Sequence, residues 1–261
     1  PAAAPGGAAA PIAAEGGPFP AISFGHGFLQ AVTQYQSTCQ HLATHGYLVI
    51  ASESEGGLAP SHSAFASDLS HSLTWLEEQN VLIGGDLFGR VNTAAFGLSG
   101  HSMGAGASLL AAAADPRVRC VASLAAAETN PSAIAAMAGI RVPIFLITGS
   151  QDTIVSPTTN GQRMYAAAAA PRQLPLITGG FHCGFTDASF IFCDSGGISR
   201  AQQLTITRRL LTACFNTHLK GDDATWAQVW GDQAPASAGV TLTSDPGLQV
   251  VAMPAVVTAA P

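Results

Sequence analysis

Short apolar runs alternate with helix-like segments along most of the chain. Runs such as residues 47–52 end at glycine, serine or other turn residues, which predicts buried strands. Between the runs, apolar residues recur at helical spacing, so that Phe65, Leu69, Leu73 and Leu76 share one helical face. Strands and helices that alternate in this way are typical of a parallel sheet covered on both faces. The pattern therefore predicts an α/β fold.

The predicted elements follow one another with short connections. Strands are predicted at residues 18–25, 47–52, 94–99, 118–125, 142–149 and 173–180. Helices are predicted at residues 35–45, 63–80, 103–114, 161–169 and 199–219. A C-terminal extension from about residue 221 has a weaker pattern, which favours a short helix at 225–230 and edge strands at 240–244 and 248–253.

The length of the chain favours a single domain. Its 261 residues are enough for one large domain with a filled core, and few for two. Residues 1–18 are a low-complexity segment rich in Ala, Pro and Gly, which we expect to be poorly ordered, so the domain is predicted to span residues 19–261. This segment begins with Pro1 and lacks both a basic start and an apolar core, which favours a processed or truncated start.

Composition and charge exclude several classes of protein. The formal net charge is −6 and the densest basic spot is Arg208-Arg209, so we expect no nucleic-acid partner. No apolar run reaches the ~18 residues that would span a bilayer, so we expect no membrane span. The five cysteines show no CxxC spacing, which gives a zinc site no support. Neither a metal nor another cofactor is expected.

Residues 100–104, with the sequence Gly-His-Ser-Met-Gly, carry the strongest chemical pattern in the chain. A serine hydroxyl is a poor nucleophile until it is held clear of the backbone and given a base. The pattern Gly-x-Ser-x-Gly holds it on a tight turn between a strand and a helix, and both elements are predicted here. A glycine-rich chain also produces this pattern by chance. The assignment of Ser102 as nucleophile therefore depends on its partners.

An acid and a histidine should follow this serine, in loops after later strands. Asp152 is the first acid after the strand at 142–149, and His182 lies in the loop after the strand at 173–180. Taken singly, Asp152 could be a turn residue and His182 a loop histidine, but jointly with Ser102 they predict a catalytic triad. Weaker candidates, placed at a helix end, on an earlier loop and late in the last helix, are Asp115, Glu128 and His218.

Two backbone amides are needed to stabilise the oxyanion of a tetrahedral intermediate. One is predicted to be the Met103 amide, which follows the nucleophile, and the other the Phe28 amide, in the loop after the first strand. The glycines of residues 25–28 would let the backbone approach substrate, although a plain turn is an alternative interpretation. The predicted substrate-binding surface consists of Gly27, Phe28, Met103, Ile154, Val155 and Phe181. It predicts a preference for short or medium apolar esters over charged substrates.

Cysteine chemistry offers a second interpretation of this region. Cys183 and Cys193 could close a short loop, which would suit an oxidising compartment. Cys183 follows His182 directly, so it could instead be a nucleophile, but it does not lie on a turn between strand and helix. We therefore favour a structural role for Cys183. An odd number of cysteines leaves at least one thiol free or paired outside the chain.

With GHSMG at 100–104, SQDTIVSP at 150–157 and GFH at 180–182, the chain resembles the α/β-hydrolase superfamily. The resemblance runs from about residue 19 to residue 221 and is closest to cutinase-like polyester hydrolases and their dienelactone-hydrolase-type relatives. It implies an α/β-hydrolase fold, with Ser102 as nucleophile, His182 as general base and acid, and Asp152 as the residue that orients the histidine. It also implies that the Phe28 and Met103 amides form the oxyanion hole.

Two positions depart from that family pattern. Ala127 stands where polyester hydrolases usually carry a tryptophan that clamps aromatic substrate, and Gly149 stands near a cysteine that often precedes the acid. These departures argue against activity on aromatic polyester, but not against ester hydrolysis. A weaker resemblance is to chlorophyllases, in HGF at 26–28 and LATHGYLVIAS at 42–52, although their elbow commonly has arginine where this chain has Met103.

The leading hypothesis is a metal-independent serine carboxylic-ester hydrolase that acts through an acyl-enzyme on apolar or polymeric esters. The alternatives are a chlorophyllase-like hydrolase of the phytyl ester, an amidase or lactonase with the same machinery, and a catalytically silent binding protein on this fold. The expected partner is a small-molecule or polymeric ester, and the chain is expected to be a monomer. Secretion is expected from the resemblance and the cysteine pair, and a plastid location under the chlorophyllase hypothesis.

Overall fold

The computed structural model describes residues 12–13, 15–231, 233–234 and 239–247. The strands are β1 (Phe19–Gly25), β2 (Leu48–Ser52), β3 (Val91–His101), β4 (Val118–Leu124), β5 (Ile144–Gly149), β6 (Arg172–Ile177) and β7 (Val240–Asp245). The α-helices are α1 (Gln36–Thr44), α2 (His62–Val81), α3 (Met103–Ala114), α4 (Ala133–Ala136), α5 (Gly161–Ala167), α6 (Arg200–Leu219) and α7 (Asp223–Val229). The strand predicted at 248–253 and residues 1–11 of the low-complexity segment lie outside the described residues.

The seven described strands form one sheet in the order β2-β1-β3-β4-β5-β6-β7. All neighbours pair in parallel except β7, which pairs antiparallel with β6. The α/β prediction is therefore confirmed. The chain passes from β1 outward to β2 and then returns to β3 on the other side of β1, so the strand order reverses between β1 and β3. In open α/β sheets, ligands bind outside the carboxyl ends of the strands at such a reversal.

Two clusters of buried apolar side chains lie on the two faces of the sheet. One contains Phe65 of α2, Leu109 of α3 and Met164 of α5. The other contains Leu42 of α1 and Phe215 of α6. Helices α1, α2, α3, α5 and α6 pack against strands of the sheet. In the described part of the chain, no helix combines the length and the apolar character that crossing a membrane requires.

The boundaries differ from the predictions at a few ends, for local reasons. The last predicted helix, at 225–230, begins earlier as α7, because the Asp222 side chain accepts a hydrogen bond from the Ala224 amide and caps it. The helix α5 ends at Ala167 rather than at residue 169, because the backbone of Ala168 is already extended, with φ of −74° and ψ of 148°. The short helix α4 was not predicted, since its four residues are too few to show a period.

Candidate active site

Ser102 lies on a tight turn between β3 and α3, and its backbone is strained. Its φ of 55° and ψ of −118° are values that residues other than glycine rarely adopt. The turn is held by the Ser102 amide, which donates to the carbonyl oxygen of Leu124 at 2.9 Å. The Ser102 carbonyl oxygen in turn accepts from the amides of Gly106 and Ala127, each at 3.0 Å. Hydrogen bonds from β4 and α3 therefore hold the serine in this conformation.

The glycines of the Gly-x-Ser-x-Gly pattern allow two backbone segments to meet beside Ser102. A Cβ atom on Gly104 would lie 2.3 Å from the carbonyl oxygen of Gly25, at the end of β1. A Cβ atom on Gly100 would lie 2.6 Å from the carbonyl oxygen of Gly104. No side chain fits at such distances. These glycines bring the loop after β1, which carries Phe28, against the start of α3.

Asp152 and His182 form a buried pair at the carboxyl ends of β5 and β6. The Nδ1 atom of His182 lies 2.8 Å from Oδ2 of Asp152, and both side chains are almost fully buried. The other carboxylate oxygen of Asp152 accepts from the amides of Ile154 at 3.0 Å and Val155 at 2.7 Å. With Nδ1 bonded to the acid, Nε2 is the ring nitrogen left to accept a proton. This is the arrangement that a general base requires.

His101 packs against the ring of His182, with ring centroids 4.4 Å apart. Complete burial lowers the pKa of His101 well below 6.5, and the neighbouring His182 lowers it further. The Nδ1 atom of His101 lies 2.8 Å from the hydroxyl of Tyr35, which also accepts from the Gly27 amide at 3.0 Å and donates to Gln30. A neutral ring thus supports His182, and one polar network connects that ring to the loop carrying Phe28.

Ser102 and His182 line a cleft with a volume of about 480 Å³. Its apolar side chains, which we call the apolar rim, are Phe28, Leu29, Ile154, Phe190, Ile191 and Phe192. Gln30 is the remaining lining residue. The rim is open to solvent, since Ile191 is 89% and Phe192 77% exposed. Exposed apolar side chains grouped around a cleft are typical of a binding surface for an apolar ligand.

The structure places the predicted substrate-binding residues in two groups. Phe28 and Ile154 line the cleft. Met103, Val155 and Phe181 are buried and do not line it. The Met103 side chain packs in the hydrophobic core. The Val155 amide donates a hydrogen bond to Asp152. Both residues therefore stabilise the site without facing the cleft.

Gly27 and Phe181 lie beside the cleft, in loops that other residues hold in place. Gly27 is within the loop after β1, where Tyr35 and Gln30 occupy the space a side chain would need. The amide and carbonyl groups of Phe181 bond to the fully buried amide side chain of Gln203 in α6, at 2.9 and 2.8 Å. Gln203 thereby fixes the backbone immediately before His182.

Sequence reasoning missed most of the apolar rim, above all residues 190–192. Their signal was three consecutive large apolar residues in the short segment between two cysteines. The structure joins those cysteines, Cys183 and Cys193, in a disulfide, and this bond closes the loop beside the cleft. Cys39, Cys120 and Cys214 are free thiols.

The rival candidates for the triad are occupied elsewhere. Asp115 pairs with Arg117 at 2.7 Å, the exposed Glu128 accepts from the Ile134 amide, and His218 accepts from the indole of Trp230 at 3.0 Å. None of the three lines the cleft with Ser102. Burial lowers the pKa of His218 to about 4, in keeping with a neutral structural histidine. Among the described residues, His, Cys, Asp and Glu form no group of three or more arranged to hold a metal ion.

Comparison with protein families gives one match. A family model described as PETase, PET hydrolase-like, matches residues 5–194, which is more than half of the 261-residue chain. The matched range includes Ser102, Asp152 and His182, the loop after β1 and the disulfide-closed loop. No curated protein matches the chain.

Proposed function

We propose that this chain, which belongs to the PET hydrolase-like family of α/β-hydrolases, is a serine hydrolase that cleaves apolar carboxylic esters through an acyl-enzyme. As a member of this family it is a carboxylic ester hydrolase. The observation that carries the proposed mechanism is the buried Asp152–His182 pair, 2.8 Å apart, whose histidine lines one cleft together with the strained Ser102. Ester hydrolysis by a serine needs a nucleophile, a base and a residue that orients the base, and these three residues can supply them.

In the proposed mechanism His182 takes the Ser102 proton as the serine oxygen attacks the ester carbonyl. The histidine then gives this proton to the leaving alcohol, and an acyl group remains on Ser102. Water repeats the sequence and releases the acid. Asp152 holds Nδ1 of His182 and stabilises the imidazolium that forms.

We assign the oxyanion hole to the amides of Phe28 and Met103. Met103 is the first residue of α3, so its amide lies at a helix N-terminus, where the peptide dipoles favour negative charge. Phe28 lies in the loop that the close approach of Gly25 and Gly104 brings to the same place. Amides fixed by backbone packing need no rearrangement when charge develops, which is the basis of this kind of catalysis.

The apolar rim supports short-chain, medium-chain or polymeric apolar esters as the substrate class. The aromatic rings of Phe28, Phe190 and Phe192 and the aliphatic chains of Ile154 and Ile191 offer contacts to an apolar acyl or alcohol group. None of the cleft-lining residues is Lys, Arg, Asp or Glu, so a charged ester would find no partner of opposite charge there. Because the Cys183–Cys193 disulfide suits an oxidising compartment, we also propose that the protein is secreted.

The test is hydrolysis of p-nitrophenyl butyrate by the wild type and by Ser102→Ala. We expect the variant to lose at least about 10⁴-fold in kcat while it keeps the thermal unfolding temperature of the wild type. Ser108→Ala is a matched control, because Ser108 lies in α3 and bonds only the Ala105 carbonyl among the described contacts. Equal turnover in the wild type and in Ser102→Ala would overturn the proposal. Rates on a matched ester, amide and lactone, and on chlorophyll, would define the substrate class.

A further inference from the structure

We propose that Asp194 is a positioning residue that clamps the loop of Asp152 to the loop of His182, and that the Cys183–Cys193 disulfide holds it in place. This inference rests on the proposed function, because it assigns Asp194 a role in the chemistry of those two residues. Asp194 lies outside the cleft lining, so its effect would pass through the geometry of the acid–base pair rather than through contact with substrate.

The Asp194 carboxylate binds backbone amides on both loops. Its Oδ2 atom accepts from the His182 amide at 2.9 Å and from the Thr153 amide at 3.2 Å. Its Oδ1 atom accepts from the Cys183 amide at 3.0 Å. Thr153 follows Asp152 directly in the chain. One carboxylate therefore joins the backbone of the proposed base to the residue beside the proposed acid.

Asp194 is held in this position from both sides along the chain. On one side its neighbour Cys193 is bonded to Cys183, with Cα atoms 5.5 Å apart. On the other side the Gly197 amide donates to the carbonyl oxygen of Gly179 at 2.8 Å. Between them, a Cβ atom on Gly196 would lie 2.2 Å from the same oxygen, so the segment packs tightly against the residues that precede His182.

Other hydrogen bonds also join the two loops, but they lie closer to the strands. The Gln151 amide donates to Gly180 at 2.7 Å, and the Gly179 amide donates to the Ser150 hydroxyl at 2.8 Å. Asp194 differs from them because it binds the His182 amide itself. Its bonds are assisted by charge, and such bonds are roughly twice as strong as neutral ones. Loss of this carboxylate should therefore loosen the pair while the sheet stays intact.

The first test compares Asp194→Asn with Asp187→Asn on p-nitrophenyl butyrate. Asp187 lies on the loop that the Cys183–Cys193 disulfide closes, and Asp194 directly follows that loop. The Asp187 carboxylate accepts from the Ser37 amide at 2.8 Å and from the Ser37 hydroxyl, so it anchors the loop to α1 without bonding to Thr153 or His182. We expect kcat of Asp194→Asn to fall by about tenfold or more, with KM within about twofold, since a displaced catalytic group slows chemistry without closing the cleft. Asp187→Asn should stay within about twofold of the wild-type kcat.

A spectroscopic readout separates positioning from general stability. The proton between His182 Nδ1 and Asp152 should give a far-downfield proton resonance in the wild type and in Asp187→Asn, and a shifted or broadened one in Asp194→Asn. Equal kcat losses in the two variants, a loss confined to KM, or an unchanged resonance would overturn the proposal. If the wild type itself shows no ester turnover, the proposed function fails, while the resonance still tests the clamp.

Should Asp194→Asn not fold, reduction of the wild type replaces it. A dithiol reductant converts the Cys183–Cys193 disulfide to two thiols and is itself oxidised to a disulfide, while Cys39, Cys120 and Cys214 are already thiols. We expect kcat to fall and KM to stay within about twofold after reduction. An unchanged kcat, with three free thiols before treatment and five after it, would overturn the role of the disulfide.

Discussion

The floor and the rim of the cleft are built in opposite ways. The floor consists of Ser102 and His182, which line the cleft, together with Asp152 and His101, which contact His182 without lining the cleft. These four side chains are buried and polar, and hydrogen bonds from several strands and loops fix them. The rim is apolar and largely exposed, with Ile191 at its outermost point. Buried polar groups are costly to displace, whereas exposed apolar side chains keep their rotamer freedom until a ligand covers them. The contrast separates the chemistry from the choice of substrate.

The difference between floor and rim predicts different kinetic effects for substitutions in the two regions. Changes in the floor should act on kcat, because they move or remove groups to which the proposed mechanism gives a role in the transition state. Changes in the rim should act on KM, because burial of apolar surface stabilises the bound substrate by roughly 25 cal/mol per Å² in both ground and transition state. Two kinetic measurements and one measurement of stability test the difference between floor and rim.

The largest expected effect is that of Asp152→Asn in the floor. The substitution keeps the shape of the side chain but removes the charge that stabilises the His182 imidazolium in the proposed mechanism, and kcat should fall by about 10⁴-fold. KM for p-nitrophenyl butyrate should stay within about threefold, since Asp152 does not line the cleft. Steady-state kinetics measure both values. A loss that appears mainly in KM would contradict the division between floor and rim.

An intermediate effect is expected on stability in acid, through His101 in the floor. Burial lowers the pKa of His101 well below 6.5, so below that pH the unfolded chain binds a proton there that the folded chain does not. The contribution of His101 to the free energy of unfolding is therefore fully present at neutral pH. It is lost as the pH falls below 6.5, by up to about 1.4 kcal/mol per pH unit for this one group.

Urea unfolding at pH 7 and pH 5 measures this loss. His101→Gln should show a smaller difference between the two pH values than the wild type does. His71→Gln, at an exposed position in α2, should keep the wild-type difference. Equal differences in the wild type and in His101→Gln would show that the floor does not carry this pH dependence.

The smallest expected effect is that of the double substitution Ile191→Ser and Phe192→Ser in the rim. KM for a medium-chain p-nitrophenyl ester should rise by about three- to tenfold, with kcat within about twofold, because apolar contact area is lost while the floor is untouched. The acetate ester, which is too short to cover the rim, should respond less. Leu58→Ser is the matched control, as Leu58 is exposed and apolar but does not line the cleft. Equal responses in control and variant would remove the rim from substrate binding.

Much of the fold could be predicted because its pattern is local. The six parallel strands coincide with predicted apolar runs, and β1 and β5, which are buried along their whole length, show no polar alternation. The helix α3 was predicted with the residues that it has, because alanine and leucine favour helix and Pro116 follows its end. Asp152 and His182 were singled out by their order after parallel strands, and the structure brings them together at 2.8 Å.

The remainder of the site could not be predicted because it depends on contacts between distant segments. Met103 and Phe181 looked like substrate contacts from their neighbours in sequence, but the packing of α3 on the sheet and the bonds from Gln203 bury them. Phe192 and Asp194 were not among the predicted site residues, because their places depend on the Cys183–Cys193 disulfide and on contacts with the loops of Asp152 and His182.

The amino-acid sequence alone predicts the order of strands and helices, the turn at Ser102 and the loops from which an acid and a histidine could reach it. These depend on local periodicity and on glycines whose backbone needs are readable one residue at a time. Which apolar side chains face the cleft, and which carboxylate binds both loops, depends on the three-dimensional packing of the chain. Those choices depend on the crossing of segments far apart in the chain, which no local pattern records.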